Sequence, residues 1–235
     1  MVQGNVVMVD TIHADTHEVP PGVADVGGYI SGTSDIDWTS GDWAEFPNSK
    51  KFRIWQGFTP YQGVDSFDVI DVESGAVTPQ SAADTVAARV FAGIPWTTIY
   101  GTDSTLAECS RLIQAKGQAV WNGHVNAWLA NWNLSLQQAQ SLLETSIHGM
   151  TCVAVQWASP SSNPHTVMPG SNLTLAQSNC DLSAALVFWT PSGGWDPPSP
   201  TPAPVSTYTG ILVTHGAGDT LLSRAVTSID NVNWQ

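Results

Sequence analysis

Segments with the pattern of β-strands alternate with segments with the pattern of α-helices along most of this chain, and that alternation limits the fold more than any other feature. About seven or eight apolar strand candidates, separated by helix candidates, occupy residues 23–195. This spacing of strands and helices is typical of βα units, whose strands run parallel in a central sheet. The number of units favours a closed barrel over an open sheet, and the short span requires some helices to be missing or vestigial. We therefore predict an α/β fold, an irregular TIM-like β/α barrel.

Several element boundaries are signalled locally. Gly22 to Ile30 is predicted as the first strand. Thr78 followed by Pro79 is typical of a helix start, with an N-cap threonine and proline at the first helical position, and this helix is predicted to run to Ala92. Apolar residues at helical spacing predict a helix over Ser135–Ile147, and Gln118–Trp121 is a short strand candidate.

Three segments fall outside the predicted barrel. Residues 1–22 are polar and end in Pro-Pro-Gly, so we predict an N-terminal arm. Residues 196–204 are rich in proline and predict a stiff, extended linker. Residues 205–235 form a short C-terminal tail with a β-like apolar run from Tyr208 to Val213. This tail is too short to build a core of its own, and we expect it to dock on another surface.

The stretch Asp71-Val72-Glu73 is the most informative motif. It closes the apolar run from Phe67, and Ser-Gly follows at once, so it reads as the end of a buried strand. Side chains two residues apart in a strand point to the same side, which presents both carboxylates together. Neighbouring carboxylates push one pKa upwards, as acid-catalysed bond cleavage requires. Taken alone, the motif fits helix capping or cation binding equally well.

The ends of the other predicted strands carry further polar and aromatic groups. Reactive groups of parallel α/β barrels lie at the carboxyl-terminal strand ends. Two more carboxylates are predicted there, Asp25 on the first strand and Asp181 before the last. Aromatic faces beside convergent carboxylates suggest carbohydrate cleavage. The predicted substrate-binding residues are Tyr100, Trp128, Gln156 and Trp157. No histidine falls on these strand ends, so neither a metal nor another cofactor is predicted.

Charge restricts the possible partners. The chain has a formal net charge of -13, from 7 basic and 20 acidic residues. With no basic patch, nucleic acid and anionic lipid are poor partners. No apolar run is long enough to cross a membrane, so membrane insertion is not predicted. A neutral or cationic polymer is the better candidate.

The order of these motifs resembles the lysozymes of glycoside hydrolase family 25, bacterial and phage muramidases with an irregular β/α barrel. The resemblance covers about residues 23–190 and depends on motif order and spacing. The matching segments are Asp25 on the first strand, Ser34-Asp35-Ile36-Asp37-Trp38, Asp71-Val72-Glu73, Trp128-Leu129-Ala130, Gln156-Trp157 and Asp181-Leu182-Ser183. The chain departs from the family pattern in Ser183, where Asn is usual, and in the long segment between Trp157 and Asp181.

The resemblance implies hydrolysis of the β-1,4 bond in the glycan strands of peptidoglycan. By the same analogy, Glu73 would donate the proton to the leaving oxygen, and Asp71 would orient the acetamido group of the substrate or stabilise charge. Asp25 and Asp181 would tune the site and bind the sugar. The residues themselves agree for Glu73, because it has a carboxylate neighbour.

The ends of the chain suggest a setting. Met1–Asp10 lack the basic segment and long apolar core of a signal peptide, and no wall-binding repeat is found. We expect a phage tail or tail-tip protein, located in the virion and acting at the host cell wall. Residues 1–22 and 205–235 would then bind other tail proteins. Two alternatives stay open: an active peptidoglycan glycosidase, or a structural or receptor-binding minor tail protein that keeps the barrel as a scaffold. A third, weaker alternative is a secreted glycosidase of a bacterium.

Overall fold

The computed structural model describes residues 5–30, 35–57, 66–122 and 124–191, together with the backbone of 208–215 and 221–228. The chain divides into two compact units, 1–197 and 198–235. The first unit is a mixed α/β structure around a closed barrel of eight strands. The predicted closed barrel is therefore confirmed.

Neighbouring strands pair from the first to the sixth, and the sixth pairs with the long eighth strand to close the barrel. All of these pairings are parallel. The ninth strand completes the ring and runs antiparallel to both of its neighbours, the first and the eighth. The strands are β1 (Asn5–Thr11), β2 (Asp25–Tyr29), β3 (Lys50–Trp55), β4 (Val69–Asp71), β5 (Thr97–Gly101), β6 (Val125–Ala130), β8 (Met150–Ala158) and β9 (Asp181–Leu186), with a two-residue β7 (Ser146–Ile147) added at the edge of β8.

Short helices cover the outside of the barrel. The longest two begin at hydroxyl N-caps: the side chain of Thr78 accepts from the amide of Ser81, and that of Thr102 from the amide of Thr105. The N-cap and the end of the helix predicted after Thr78 are confirmed. The helices are α1 (Ser40–Ala44), α2 (Pro79–Phe91), α3 (Asp103–Ala115), α4 (Gln118–Trp121), α5 (Leu136–Leu142) and α6 (Leu175–Ser178), and a 3₁₀ helix spans His13–Glu18.

The prediction of an arm over residues 1–22 is wrong. Asn5–Thr11 is the first strand of the barrel and pairs with β2 on one side and β9 on the other. The segment predicted as the first strand is therefore the second, and the barrel begins well before residue 23. Four consecutive apolar residues among polar ones gave too weak a strand signal for detection in a single sequence.

Two other elements differ from prediction. Gln118–Trp121 is a helical turn that follows Gly117 at a positive φ of 108°, not a strand. The helix predicted over Ser135–Ile147 ends at Leu142, and the chain then enters β7. In such short apolar runs, periodicity does not separate helix from strand.

The amino-terminal end of the barrel is closed by its own chain. Lys50, the first residue of β3, donates hydrogen bonds to the carbonyl oxygens of Val187 and Trp189, which follow β9. The indole ring of Trp189 stacks on Phe52 with 4.0 Å between ring centroids. A packed floor therefore leaves the opposite end of the barrel as the place for a site.

The second unit contains a two-stranded antiparallel sheet, β10 (Tyr208–His215) paired with β11 (Leu221–Ser228). The β-like run predicted from Tyr208 to Val213 is confirmed as part of β10. The proline-rich linker predicted over 196–204 lies outside the described residues.

Candidate active site

Four carboxylates gather at the carboxyl-terminal end of the parallel strands. Asp71 ends β4 and Glu73 follows two residues later. Asp10 lies near the end of β1, and Asp181 is the first residue of β9. Because β9 runs antiparallel, its first residue lies beside the end of β1, and Asp10 and Asp181 are direct register partners. Residues far apart in sequence therefore meet at one mouth of the barrel.

The side chain of Asp10 points into the barrel. A Cβ atom placed on Gly27 of β2 would come within 2.9 Å of the Asp10 Cβ, so the absence of a side chain at Gly27 makes room for this aspartate. Asp10 is only 3% exposed, and its Oδ1 has no hydrogen-bond partner among the described residues. Burial, and then the charges of Asp181, Asp71 and Glu73, raise the pKa of Asp10 well above its ordinary value.

Asp71 is equally buried, at 1% exposure. One carboxylate oxygen accepts a hydrogen bond of 2.9 Å from the side-chain amide of Gln56, whereas Oδ1 has no partner among the described residues. Burial and the nearby charge of Glu73 raise the pKa of Asp71 to about 7, and the Gln56 hydrogen bond opposes that rise. Asp71 therefore exchanges a proton near neutral pH.

Asp181 behaves in the same way. Burial and the charge of Glu73 raise its pKa to about 7, and a hydrogen bond with the side chain of Gln156 opposes the rise. Glu73 itself is exposed, so it is the member of the cluster that a large substrate reaches first. Its charge acts on the pKa values of Asp10, Asp71 and Asp181 alike.

Gln156 organises the other side of the mouth. Its carbonyl oxygen accepts hydrogen bonds from the Tyr100 hydroxyl at 2.5 Å and from the Trp132 indole N–H at 3.1 Å. Because the side-chain oxygen of Gln156 already accepts two hydrogen bonds, its amide N–H group is the donor to the carboxylate of Asp181. The buried Gln156 therefore holds Tyr100, Trp132 and Asp181 in one network.

Three neighbours of the cluster were not predicted. They are Tyr29 at the end of β2, Gln56 just after β3 and the half-buried Trp132 just after β6. Burial and the charges of Asp71 and Asp10 strongly raise the pKa of Tyr29. Each of the three ends or follows a parallel strand, so counting residues from the correct strand ends would have found them.

The prediction that Asp25 belongs to this cluster is wrong. Asp25 is the first residue of β2, so it lies at the amino-terminal end of the barrel. Its Oδ2 is 3.3 Å from the ammonium group of Lys50. Burial raises the pKa of Asp25 to about 6, and the Lys50 charge works against that rise. The first strand does supply an aspartate to the mouth, but that residue is Asp10.

One tryptophan predicted to bind substrate is part of the core. Trp128 is 1% exposed, donates its indole N–H to the Ser183 hydroxyl at 2.9 Å and meets Tyr100 edge to face. Its ring is therefore not free to stack on a ligand. Trp157 is half-buried, packs against both hydrophobic clusters and lies at a register shift between β8 and β9, and its role in binding stays a prediction. Trp132 has the exposure that Trp128 lacks.

This arrangement can perform proton transfer without a basic side chain. Two carboxyl groups with pKa values of about 7 lie beside an exposed glutamate, so one group can be a neutral acid while another is charged. Among residues 5–191 that the structure describes, no group of three or more His, Cys, Asp and Glu side chains could hold a metal ion.

No protein-family model, curated protein or solved structure matches the chain. Within the described part of the chain, no helix has the length and apolar character needed to span a membrane.

Proposed function

We propose that this protein is a glycoside hydrolase that cleaves the glycan strands of peptidoglycan. The observation that carries the proposal is the convergence of Asp10, Asp71, Asp181 and Glu73 at one barrel mouth, with the pKa values of three of them raised. Glycosidases of most families use two carboxyl groups, one protonated and one charged, on either side of the scissile bond. Burial and mutual repulsion supply those two states here.

The roles follow from the resemblance, exposure and hydrogen bonding. Glu73 is the proposed proton donor to the leaving oxygen, because it is the member exposed to a substrate and it lies two residues from Asp71, whose raised pKa of about 7 keeps a proton within the pair near neutral pH. Asp71 is held by Gln56 and is proposed to orient the substrate or to stabilise positive charge that develops at the sugar ring. Asp10 and Asp181 tune the site electrostatically. Trp132, half-buried at the rim and tied to Gln156, is the proposed surface for a sugar ring.

The resemblance to glycoside hydrolase family 25 supports this proposal in a corrected form. In the corrected form, Asp10 replaces Asp25 as the aspartate of the first strand. This aspartate, the Asp-x-Glu motif and the late aspartate then all lie at the same mouth of the barrel. We propose on this basis that the eight-stranded structure is an irregular TIM-like barrel. Its antiparallel β9 distinguishes it from a regular all-parallel one.

The direct test is release of reducing ends from purified cell walls. We expect the wild type to release them and Glu73→Gln to lose about 10²- to 10⁴-fold in rate, the range for loss of a general acid. Glu108→Gln is the matched control, because Glu108 is exposed on α3 and paired with Arg111. No release by the wild type on any wall preparation would refute hydrolysis, and equal rates for both variants would refute the role of Glu73.

We further propose that the protein is a phage tail protein, located in the virion and acting at the host cell wall. Among the described residues, β10 and β11 pair only with each other, and a two-stranded sheet is marginally stable alone. Residues 205–235 therefore remain the proposed docking segment for other tail proteins. Residues 1–22 do not, since β1 is an internal strand of the barrel. Detection of the protein in purified virions tests this setting.

The same hairpin favours a second candidate function, a non-catalytic structural or receptor-binding tail subunit built on the same barrel. This candidate predicts binding of the wild type to cell walls with no release of reducing ends. Glu73→Gln would then bind walls as well as the wild type does.

A further inference from the structure

We propose that the barrel mouth recognises a positively charged amino group, so that the preferred glycan contains glucosamine units with a free amine, as in partly de-N-acetylated cell-wall polymer. This inference rests on the proposed function and narrows its substrate class. It starts from the oxygens of Asp10 and Asp71 that find no partner.

Both oxygens are buried and face the same cluster. Asp10 Oδ1 and Asp71 Oδ1 have no hydrogen-bond partner among the described residues. Both residues are almost completely buried, with exposures of 3% for Asp10 and 1% for Asp71. A buried carboxylate oxygen without a donor costs free energy, which a bound donor would recover. Asp10 is the register partner of Asp181, and Asp71 ends β4 at the same end of the barrel, where its charge also acts on Asp10. The two open acceptors therefore belong to one site.

Among the described residues, no cation is found to act on this site. The charged groups that act on Asp10, Asp71 and Asp181 are other carboxylates. Arg89 donates to the Thr97 hydroxyl and lies over the Phe67 ring. Four basic side chains pair with carboxylates elsewhere: Lys50 with Asp25, Arg53 with Asp68, Arg111 with Glu108 and Lys116 with Asp84. Within the described part of the barrel, a positive charge at the mouth would therefore come from a ligand.

An ammonium group suits the open acceptors better than an acetamido group. An alkylammonium has three N–H donors and no acceptor, whereas an acetamido group has one N–H donor and a carbonyl oxygen that carboxylates repel. An ion pair of this type occurs at the other end of the barrel, where the Lys50 ammonium lies 3.3 Å from the buried Asp25, although neither Asp25 oxygen has a hydrogen-bond partner among the described residues. The site at the mouth has the carboxylates of such a pair without the amine.

The test compares two ligands of equal length, a glucosamine oligomer and an N-acetylglucosamine oligomer, by calorimetric titration near pH 7, where pKa values of about 7 leave Asp71 and Asp181 partly charged. The full-length chain carries Glu73→Gln so that no hydrolysis occurs. We expect the glucosamine oligomer to bind at least about tenfold more tightly. Adding Asp10→Asn, which has nearly the same shape, should reduce that preference to within about twofold, chiefly by weakening binding of the glucosamine oligomer. Asp71→Asn gives the same readout if Asp10→Asn does not fold.

Adding Glu108→Gln is the matched control, because it removes one negative charge from an exposed position outside the mouth. A tenfold preference that survives Asp10→Asn, or falls equally with Glu108→Gln, would show general attraction of a cationic polymer to an acidic protein and overturn the inference. Equal binding of the two oligomers would overturn it as well. Calcium chloride alone is titrated in parallel, and calcium binding lost with Asp10→Asn would identify a metal site instead.

The two proposals fail in different ways. Hydrolysis of fully acetylated walls at the same rate as de-N-acetylated walls refutes the amine inference and leaves the glycosidase intact. Amine-specific binding without hydrolysis of any wall by the wild type refutes the glycosidase and leaves an amino-sugar-binding site.

Discussion

The two ends of the barrel contain the same residue type, a buried aspartate on a parallel strand, in opposite surroundings. At the amino-terminal end, Asp25 has the Lys50 ammonium 3.3 Å away. That ammonium also binds the carbonyl oxygens of Val187 and Trp189, so the chain covers its own barrel floor. The charge of this aspartate is neutralised within the fold, and its role is structural.

At the carboxyl-terminal end, Asp10 and Asp71 have other carboxylates as neighbours. Burial raises the pKa values of both, as it does for Asp25, but here the neighbouring charges raise them further, whereas Lys50 opposes the rise at Asp25. Buried oxygens without a hydrogen-bond partner among the described residues occur at both ends, so the counter-charge is what differs. Grouped carboxylates without a counter-charge destabilise a fold, and such an arrangement is typical of functional sites. The contrast shows that burial alone does not identify a catalytic aspartate, and that the presence or absence of an internal cation separates the two cases.

The largest expected effect is a difference in enzymatic rate between variants of Asp10 and of Asp25. Asp10→Asn should lower the rate of reducing-end release by about 10³-fold, or ~4 kcal/mol in the barrier, because it removes an ionisable carboxyl group from the cluster around Glu73. Asp25→Asn should stay within about threefold of the wild type, because Asp25 lies at the opposite end. Rates are compared per folded protein, with folding checked by circular dichroism. A larger loss for Asp25→Asn would reverse the assignment of the mouth.

The next effect concerns stability at the closed end. Lys50→Met should reduce the free energy of unfolding by about 2 kcal/mol near pH 7, because it leaves Asp25 buried without its partner. The value is below that of a fully buried pair, since the Lys50 side chain is 31% exposed. The loss should shrink as the pH falls through about 6, the pKa of Asp25, because a neutral Asp25 no longer needs a cation. Urea unfolding above and below that pH measures it.

The double variant Lys50→Met, Asp25→Asn is the control for that experiment. It contains no unpaired charge, so it should regain more than half of the lost stability at pH 7. If the double variant is as unstable as Lys50→Met alone, the hydrogen bonds from Lys50 to the two carbonyl oxygens stabilise the floor, and the ion pair does not.

Sequence reasoning identified the open end only in part. Asp71 and Glu73 were predictable, because a two-residue separation at a strand end fixes the side on which both side chains lie. Asp10 was not, because only four residues of β1 are apolar and the strand lies before Pro20-Pro21, which resembles the end of an arm. Asp25 was misplaced because a strand's composition does not reveal whether a residue lies at its start or its end. That distinction needs the strand's register with its neighbours.

The tryptophans show the same limit. Trp128 was predicted to bind substrate because it follows an apolar run, but β6 continues to Ala130 and buries it. Trp132 lies beyond that strand end. Strand ends read from a sequence are uncertain by a few residues, and that error decides whether an indole ring is core or rim.

A smaller effect should show that the open end is destabilised for function. Asp71 has a pKa of about 7 in the folded protein, against 3.8 as its ordinary value. Below pH 3.8 both states are protonated and no penalty arises. As the pH rises from about 4 to 7, the unfolded chain loses this proton while the folded protein keeps it, so stability falls. Asp71→Asn cannot ionise, so it should be about 1–2 kcal/mol more stable than the wild type near pH 8 and equal near pH 4.

Denaturant unfolding across that pH range measures the difference, and the exposed Asp103→Asn of α3 is the control. A stability gain for Asp71→Asn that does not change with pH would mean that packing, and not ionisation, explains it.

The smallest expected effect concerns the rim. Trp132→Phe keeps an aromatic face but loses the indole N–H that donates to the Gln156 carbonyl oxygen at 3.1 Å. We expect KM for wall fragments to rise about threefold with kcat nearly unchanged, because the ring still stacks but is less well oriented. Trp132→Ala should raise KM further.

Trp128→Phe is the control for a core position. It breaks the hydrogen bond to Ser183 inside the barrel and should lower the unfolding midpoint. If Trp128→Phe raised KM without loss of stability, the ligand would have to reach deeper into the barrel than the rim.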